Sequence, residues 1–72
     1  MATTTSQARV TGAVAYRERG AQRTFPLGPC LLERTDGKTP EIIWGAHGQH
    51  CAPLSLQEMA RAESDGDLVV LE

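Results

Sequence analysis

Only three aromatic residues, Tyr16, Phe25 and Trp44, occur in this 72-residue chain, and no apolar run approaches the length that spans a membrane. The first shortage works against an extended platform for stacking nucleobases. The second offers no candidate for a membrane-spanning helix within these residues, and no membrane partner is expected. The opening MATTTSQA lacks a cationic start followed by an apolar core, so no secretory signal is read and a cytoplasmic chain is expected. Cysteine is scarce as well. Cys30 and Cys51 would stay reduced in that compartment, so their even count does not imply a disulfide. No Gly-rich phosphate loop, paired-carboxylate arrangement or Ser-His-Asp set can be assembled, and so short a chain has little room for a ligand-sized pocket. Neither enzyme activity nor a cofactor is expected.

What is present is the composition of a folded domain, 40% hydrophobic and 22% charged, with seven glycines and four prolines falling between apolar runs. Residues 9–72 read as one small β-rich domain and residues 1–8 as a flexible N-terminal tail. At this length only about 60% of the unfolded surface is buried on folding, so a staple, a metal or a partner chain would add needed stability. Charge is unevenly divided. Residues 1–40 carry six cations against three acids, a balance of +3, and residues 41–72 carry one cation against six acids, a balance of −5. Such a split can orient a partner or let the two halves attract each other on folding.

A period-two alternation begins at Val10, with Val10, Gly12, Val14 and Tyr16 on one side and Thr11, Ala13, Ala15 and Arg17 on the other. A two-residue turn at Arg19-Gly20 then predicts a hairpin with Val14 opposite Phe25, Tyr16 opposite Arg23 and Ala15 opposite Thr24. Residues 30–34 and 41–44 form a second predicted hairpin. A four-residue loop over 36–39 pairs Leu32 with Ile43 and Leu31 with Trp44, whereas a two-residue Asp-Gly turn shifts that register. In either case both strands are apolar on two faces and need cover on two sides.

Ser55 with Glu58 three residues later is a capping box, and Leu54 with Met59 has the spacing of a hydrophobic staple. A helix is therefore predicted from Leu56 to the Ser64-Asp65-Gly66 stop, with Leu56, Met59 and Ala60 as its apolar stripe and Glu58 and Arg61 facing water. Residues 67–72 supply the last strand. The fold class is mainly β (α+β), in the order β-β-β-β-α-β: a small five-stranded antiparallel sheet, or by architectural analogy an SH3-like barrel, with one short helix before the last strand. In the open-sheet alternative, a second subunit could cover the remaining apolar face.

Three constellations are candidates for function. His47, His50 and Cys51 fall within the pentapeptide HGQHC, and with Cys30 they would complete a Cys2His2 set suited to zinc. Against this, the paired C-x2-C knuckle of common zinc frameworks is missing, and the adjacent His50 and Cys51 point to opposite sides of an extended segment. The simpler reading is a connection into the helix with Cys51 turned inward. Arg17, Arg19 and Arg23 surround the first turn with Tyr16 nearby, an arrangement that could grip phosphate or a base, although the acidic total opposes it. The third reading is a non-catalytic binding module acting through protein-protein contact or as a homodimer. It uses exposed sheet edges and surplus apolar surface, with Tyr16 and Trp44 as aromatic anchors whose alternative role is core packing.

Overall fold

The computed structural model describes residues 2–71; Met1 and Glu72, the ends of the expected tail and last strand, lie outside the described residues. The elements are β1 (Thr3–Val10), β2 (Ala15–Glu18), β3 (Ala21–Thr24), β4 (Gly28–Thr35), β5 (Glu41–Trp44), β6 (His50–Pro53), α1 (Leu56–Asp65) and β7 (Leu68–Val70). Five strands form an antiparallel sheet in the order β6-β5-β4-β1-β7, and β2 with β3 makes a separate hairpin. The fold is mainly β with one short helix before the last strand, as expected. Among the described residues the sheet stays open, ending on β6 and β7, without SH3-like closure.

The first hairpin has the predicted register. Tyr16 pairs with Arg23 and Ala15 with Thr24, and the Phe25 N–H donates to the Val14 carbonyl at 3.0 Å. Arg19 and Gly20 both take positive φ, 52° and 81°, the backbone twist that a two-residue hairpin turn requires.

Four expectations are corrected. Residues 3–8 of the expected tail belong to β1, which pairs along its whole length with β4 from Thr3↔Thr35 to Val10↔Gly28. Backbone ladder bonds hold this segment, helped by the Thr3–Thr35 hydroxyl pair at 3.1 Å, so a search for apolar periodicity passes over it. Second, the alternation from Val10 to Arg17 is divided between two sheets. The Thr11 and Gly12 N–H groups both donate to the Asp67 carbonyl, at 2.8 and 3.2 Å, which takes the chain off β1 before β2 begins. Gly12 permits this crossing, since a Cβ there would lie 2.7 Å from Asp67 Cγ.

Third, the second hairpin pairs Leu31 with Ile43 and Leu32 with Ile42, one residue away from either predicted register. A one-residue slip exchanges the faces of a strand, and the observed register puts Leu32 and Ile42, both at 0% exposure, into the core together. The turn itself is closed by Lys38 N–H to the Thr35 carbonyl at 3.0 Å. Fourth, HGQHC is not a connection into the helix. Its end begins β6, paired to β5 through Trp44↔His50, Ile43↔Cys51 and Ile42↔Ala52, and residues 45–49 form the intervening hairpin loop. Gly45 and Gly48 adopt φ of 102° and 65° there.

The helix starts and stops where expected. The Ser55 Oγ accepts from Glu58 N–H at 3.1 Å, and Gly66 at φ 78° closes the C-terminus with its N–H turned back to Ala62 and Glu63. Its buried stripe differs in part: Met59 packs against the core as expected, but Leu56 is 64% exposed and Ala60 is exposed, and Ala62 is buried in their place. The core is assembled from alternate residues of the sheet, Ala8, Val10, Cys30, Leu32, Ile42, Ala52 and Leu68, closed by Val14 and Phe25 of the hairpin and by Leu54 and Ala62 around the helix. Helix and hairpin residues thus meet the same face of the sheet.

Candidate functional site

The expected site residues do not converge. Cys30 is buried on the core face of β4, and burial raises its thiol pKa. Cys51 is exposed and, as the register partner of Ile43, lies on the opposite face. The proposed inward position of Cys51 is therefore corrected, because the strand that replaces the expected loop fixes its parity. His50 sits across from Trp44 at the core-side margin, with ring centroids 5.6 Å apart and planes 21° apart, and His47 is in the exposed loop. Among the described residues no three His, Cys, Asp or Glu groups are arranged to hold a metal. The four candidate ligands for zinc are distributed over two faces and a loop.

Nor do the hairpin arginines form one surface. Arg23 is opposite Tyr16 and Arg17 is opposite Gln22, so Arg17 and Arg23 project from opposite sides of the ribbon. Arg23 Nε is also held by Glu18 Oε1 at 3.0 Å. Tyr16 and Trp44 are half-buried members of an aromatic cluster, in which Tyr16 and Phe25 have centroids 4.3 Å apart and Phe25 meets Trp44 edge-on at 5.3 Å. Their contribution is to seat the hairpin on the sheet.

Arg61, read from sequence as a solvated residue, organises a polar clasp. Its guanidinium donates to Glu58 at 2.8 and 2.9 Å, Asp65 at 2.9 Å, Asp67 at 3.1 Å and the Ala13 carbonyl at 2.8 Å. Glu58 completes the link by accepting from the Ala15 N–H at 3.0 Å, in place of the reciprocal capping-box bond expected at Ser55. The hydrogen bonds from Arg61 and Ala15 hold the Glu58 carboxyl below its ordinary pKa, and the surrounding carboxylates hold the Arg61 guanidinium above its own. One helix residue thereby ties down both the start of the hairpin and the turn before β7.

The surface that sequence reasoning anticipated only in outline is the other face of the sheet. Its central row runs Cys51, Ile43, Leu31, Gln7 across four strands, and Leu71 flanks it through its N–H to the Gln7 carbonyl at 2.8 Å. Leu31, Val69 and Leu71 are 38%, 40% and 55% exposed. Gly48 of the β5–β6 loop approaches the Ile43 side chain and, with Arg9, rims a shallow depression around Leu31, Ile43 and Leu71. Beyond this row, Glu33 and Glu41 face each other directly, a like-charge pairing that destabilises neighbouring strands. At the other end stands Arg9, paired in register with Pro29 and Val69. None of these three charged groups has an ion-pair partner among the described residues.

In comparisons with known proteins, no family model, no curated protein and no solved structure matches this chain.

Proposed function

We propose that this chain is a small non-catalytic binding module that acts through protein-protein contact or self-association, and that the contact surface is the sheet face lined by Leu31, Ile43, Val69 and Leu71. The supporting observation is that the helix and the hairpin contribute to the core on one side, while Leu31, Val69 and Leu71 remain substantially exposed on the other. Exposed apolar side chains gathered on one face, here on either side of Gln7 and Arg9 of β1, are a feature of interaction sites.

The test compares three forms of the chain: native, the pair Leu31→Glu with Leu71→Glu, and the triple change of Arg17, Arg19 and Arg23 to Ala. Each is measured for solution mass by light scattering and for the proteins it recovers from its own cell extract. The proposal expects association or recovery to be lost in the face variant and kept in the hairpin variant. Loss in the hairpin variant alone would move the function to the arginines. A native chain that stays monomeric and recovers only what the face variant recovers refutes the proposal.

A further inference from the structure

The charge pattern of the uncovered face points to a second copy of this chain as its occupant, stacked face to face about a two-fold axis that lies along the Cys51–Ile43–Leu31–Gln7 row. This inference rests on the binding-module reading and specifies its partner. Arg9 lies at one end of the face and Glu33 with Glu41 at the other. The row lies midway, because Thr5 is the partner of Glu33, Gln7 of Leu31 and Arg9 of Pro29.

Two in-plane axes keep the strands of the two copies aligned, one parallel to them and one across them, and the charges distinguish the two. An axis parallel to the strands along β4 brings the Arg9 end over the partner's Arg9 end and superposes Glu33 on the partner's Glu33, so like charges meet. An axis along the row reverses the strands. Arg9 then lies over Thr5 of the partner subunit, and in the plane of the sheet it is offset from the partner's Glu33 by one strand spacing of about 4.8 Å, within reach of the long side chain across the gap between the sheets. The same rotation places the partner's Arg9 beside Glu33, as a closed isologous interface requires, and Leu31 and Ile43 meet their own copies at the centre. The half-buried acids of β4 and β5 thereby acquire a cation from the partner subunit.

The footprint sets the working concentration. Five strands spaced about 4.8 Å apart, with roughly four to six residues of about 3.3 Å each, give a face on the order of 500 Å². That is smaller than the ~800 Å² per partner of a standard interface. The dimer is therefore weak, and association is read at about 10 to 500 µM.

Cys51 reports the geometry without any substitution, because it is exposed while Cys30 is buried. Rotation about the row places Cys51 opposite the partner's Cys51 across one sheet-to-sheet gap of about 10 Å. Rotation about the strand direction places it over β7 of the other copy, about four strand spacings, or 19 Å, from its mate. The experiment treats the native chain with a bifunctional maleimide spanning ~10 Å, alongside sedimentation equilibrium of the native chain, Arg9→Glu, and Arg9→Glu with Glu33→Arg. The expected result is a Cys51–Cys51 covalent dimer, association about tenfold weaker in Arg9→Glu, and recovery in the charge-exchanged double variant. A dimer that does not crosslink through Cys51, or that is indifferent to Arg9→Glu, overturns this arrangement. A native chain that remains monomeric throughout the range, yet binds another protein through Leu31 and Leu71, overturns the second-copy inference and leaves the binding-module reading intact.

Discussion

Leu31 and Leu32 are adjacent in β4, yet truncating them to alanine should have clearly different consequences. Leu32 is at 0% exposure and faces Ile42 in the core. Removing three carbon groups at about 0.8 kcal/mol each forfeits about 2.4 kcal/mol of transfer free energy, and the cavity left behind raises the total to about 3 to 5 kcal/mol. Leu31 keeps 38% of its surface in water, so the same truncation loses about 1.5 kcal/mol with no closed cavity to add. A domain of 72 residues has a total stability of about 4 to 11 kcal/mol. Leu32→Ala therefore removes a large part of it. Urea unfolding followed by the fluorescence of Trp44, the single tryptophan, measures the contrast. With a slope of about 1 kcal/mol per molar, the midpoint falls by about 3 M or more for Leu32→Ala and by about 1.5 M for Leu31→Ala. The assay is run at about 1 µM, below the range in which the face would self-associate, because association would otherwise add a concentration-dependent term to the Leu31 value. Equal losses at the two positions, or a larger loss at Leu31, would refute the register and with it the assignment of the uncovered face.

Gly12→Ala should lower stability by about 1 to 3 kcal/mol, because the new methyl group enters the space of the Asp67 side chain; thermal unfolding reads it as a fall of about 4 to 8 °C per kcal/mol. Glu58 has a folded-state pKa below its ordinary 4.5, so its contribution is present above that value and lost as pH falls through the lower, folded pKa. Urea midpoints at pH 7 and pH 3 should therefore differ more for the native chain than for Glu58→Gln, and equal differences would exclude Glu58 as a source of acid sensitivity. One thiol, Cys51, should react promptly with a chromogenic disulfide reagent in the native state, and Cys30 only in denaturant. Addition of a chelator should leave the melting temperature unchanged, since Cys30 and Cys51 occupy opposite faces.

The parts of the fold that were readable from sequence are those whose signals are local. The Arg19-Gly20 turn fixes the first hairpin because two residues with positive φ leave one register between Tyr16 and Arg23. Ser55 and Gly66 mark the helix ends because a cap needs a particular side chain, or the lack of one, at a single position. The strands that were missed or shifted depend on distant partners. β1 opens with polar residues whose only strong reason to be extended is the ladder to β4, some thirty residues away. β6 is four residues long and its glycine-rich approach reads as a loop until β5 is present to pair with it. The second hairpin has a longer connection over residues 36–40, so its register is set by the side chains that fill the core, not by the turn.

The same distinction explains why the conspicuous HGQHC cluster did not become a site while an ordinary-looking arginine became an organising residue. In an extended segment, chemical groups that are neighbours in sequence are sent to opposite faces, so proximity in sequence separates His50 from Cys51. Arg61 gains its role from four partners in three segments: Ala13 before β2, Glu58 and Asp65 on its own helix α1, and Asp67 before β7. This clasp secures the helix to the hairpin approach, and the aromatic cluster of Tyr16, Phe25 and Trp44 secures the hairpin to the core side. With both covering elements committed to that side, neither is available to Leu31 and Ile43. The surplus apolar surface that the sequence carries on β4 and β5 is thus a consequence of how the cover is anchored, and weakening the clasp should loosen the core face without supplying any cover for the other.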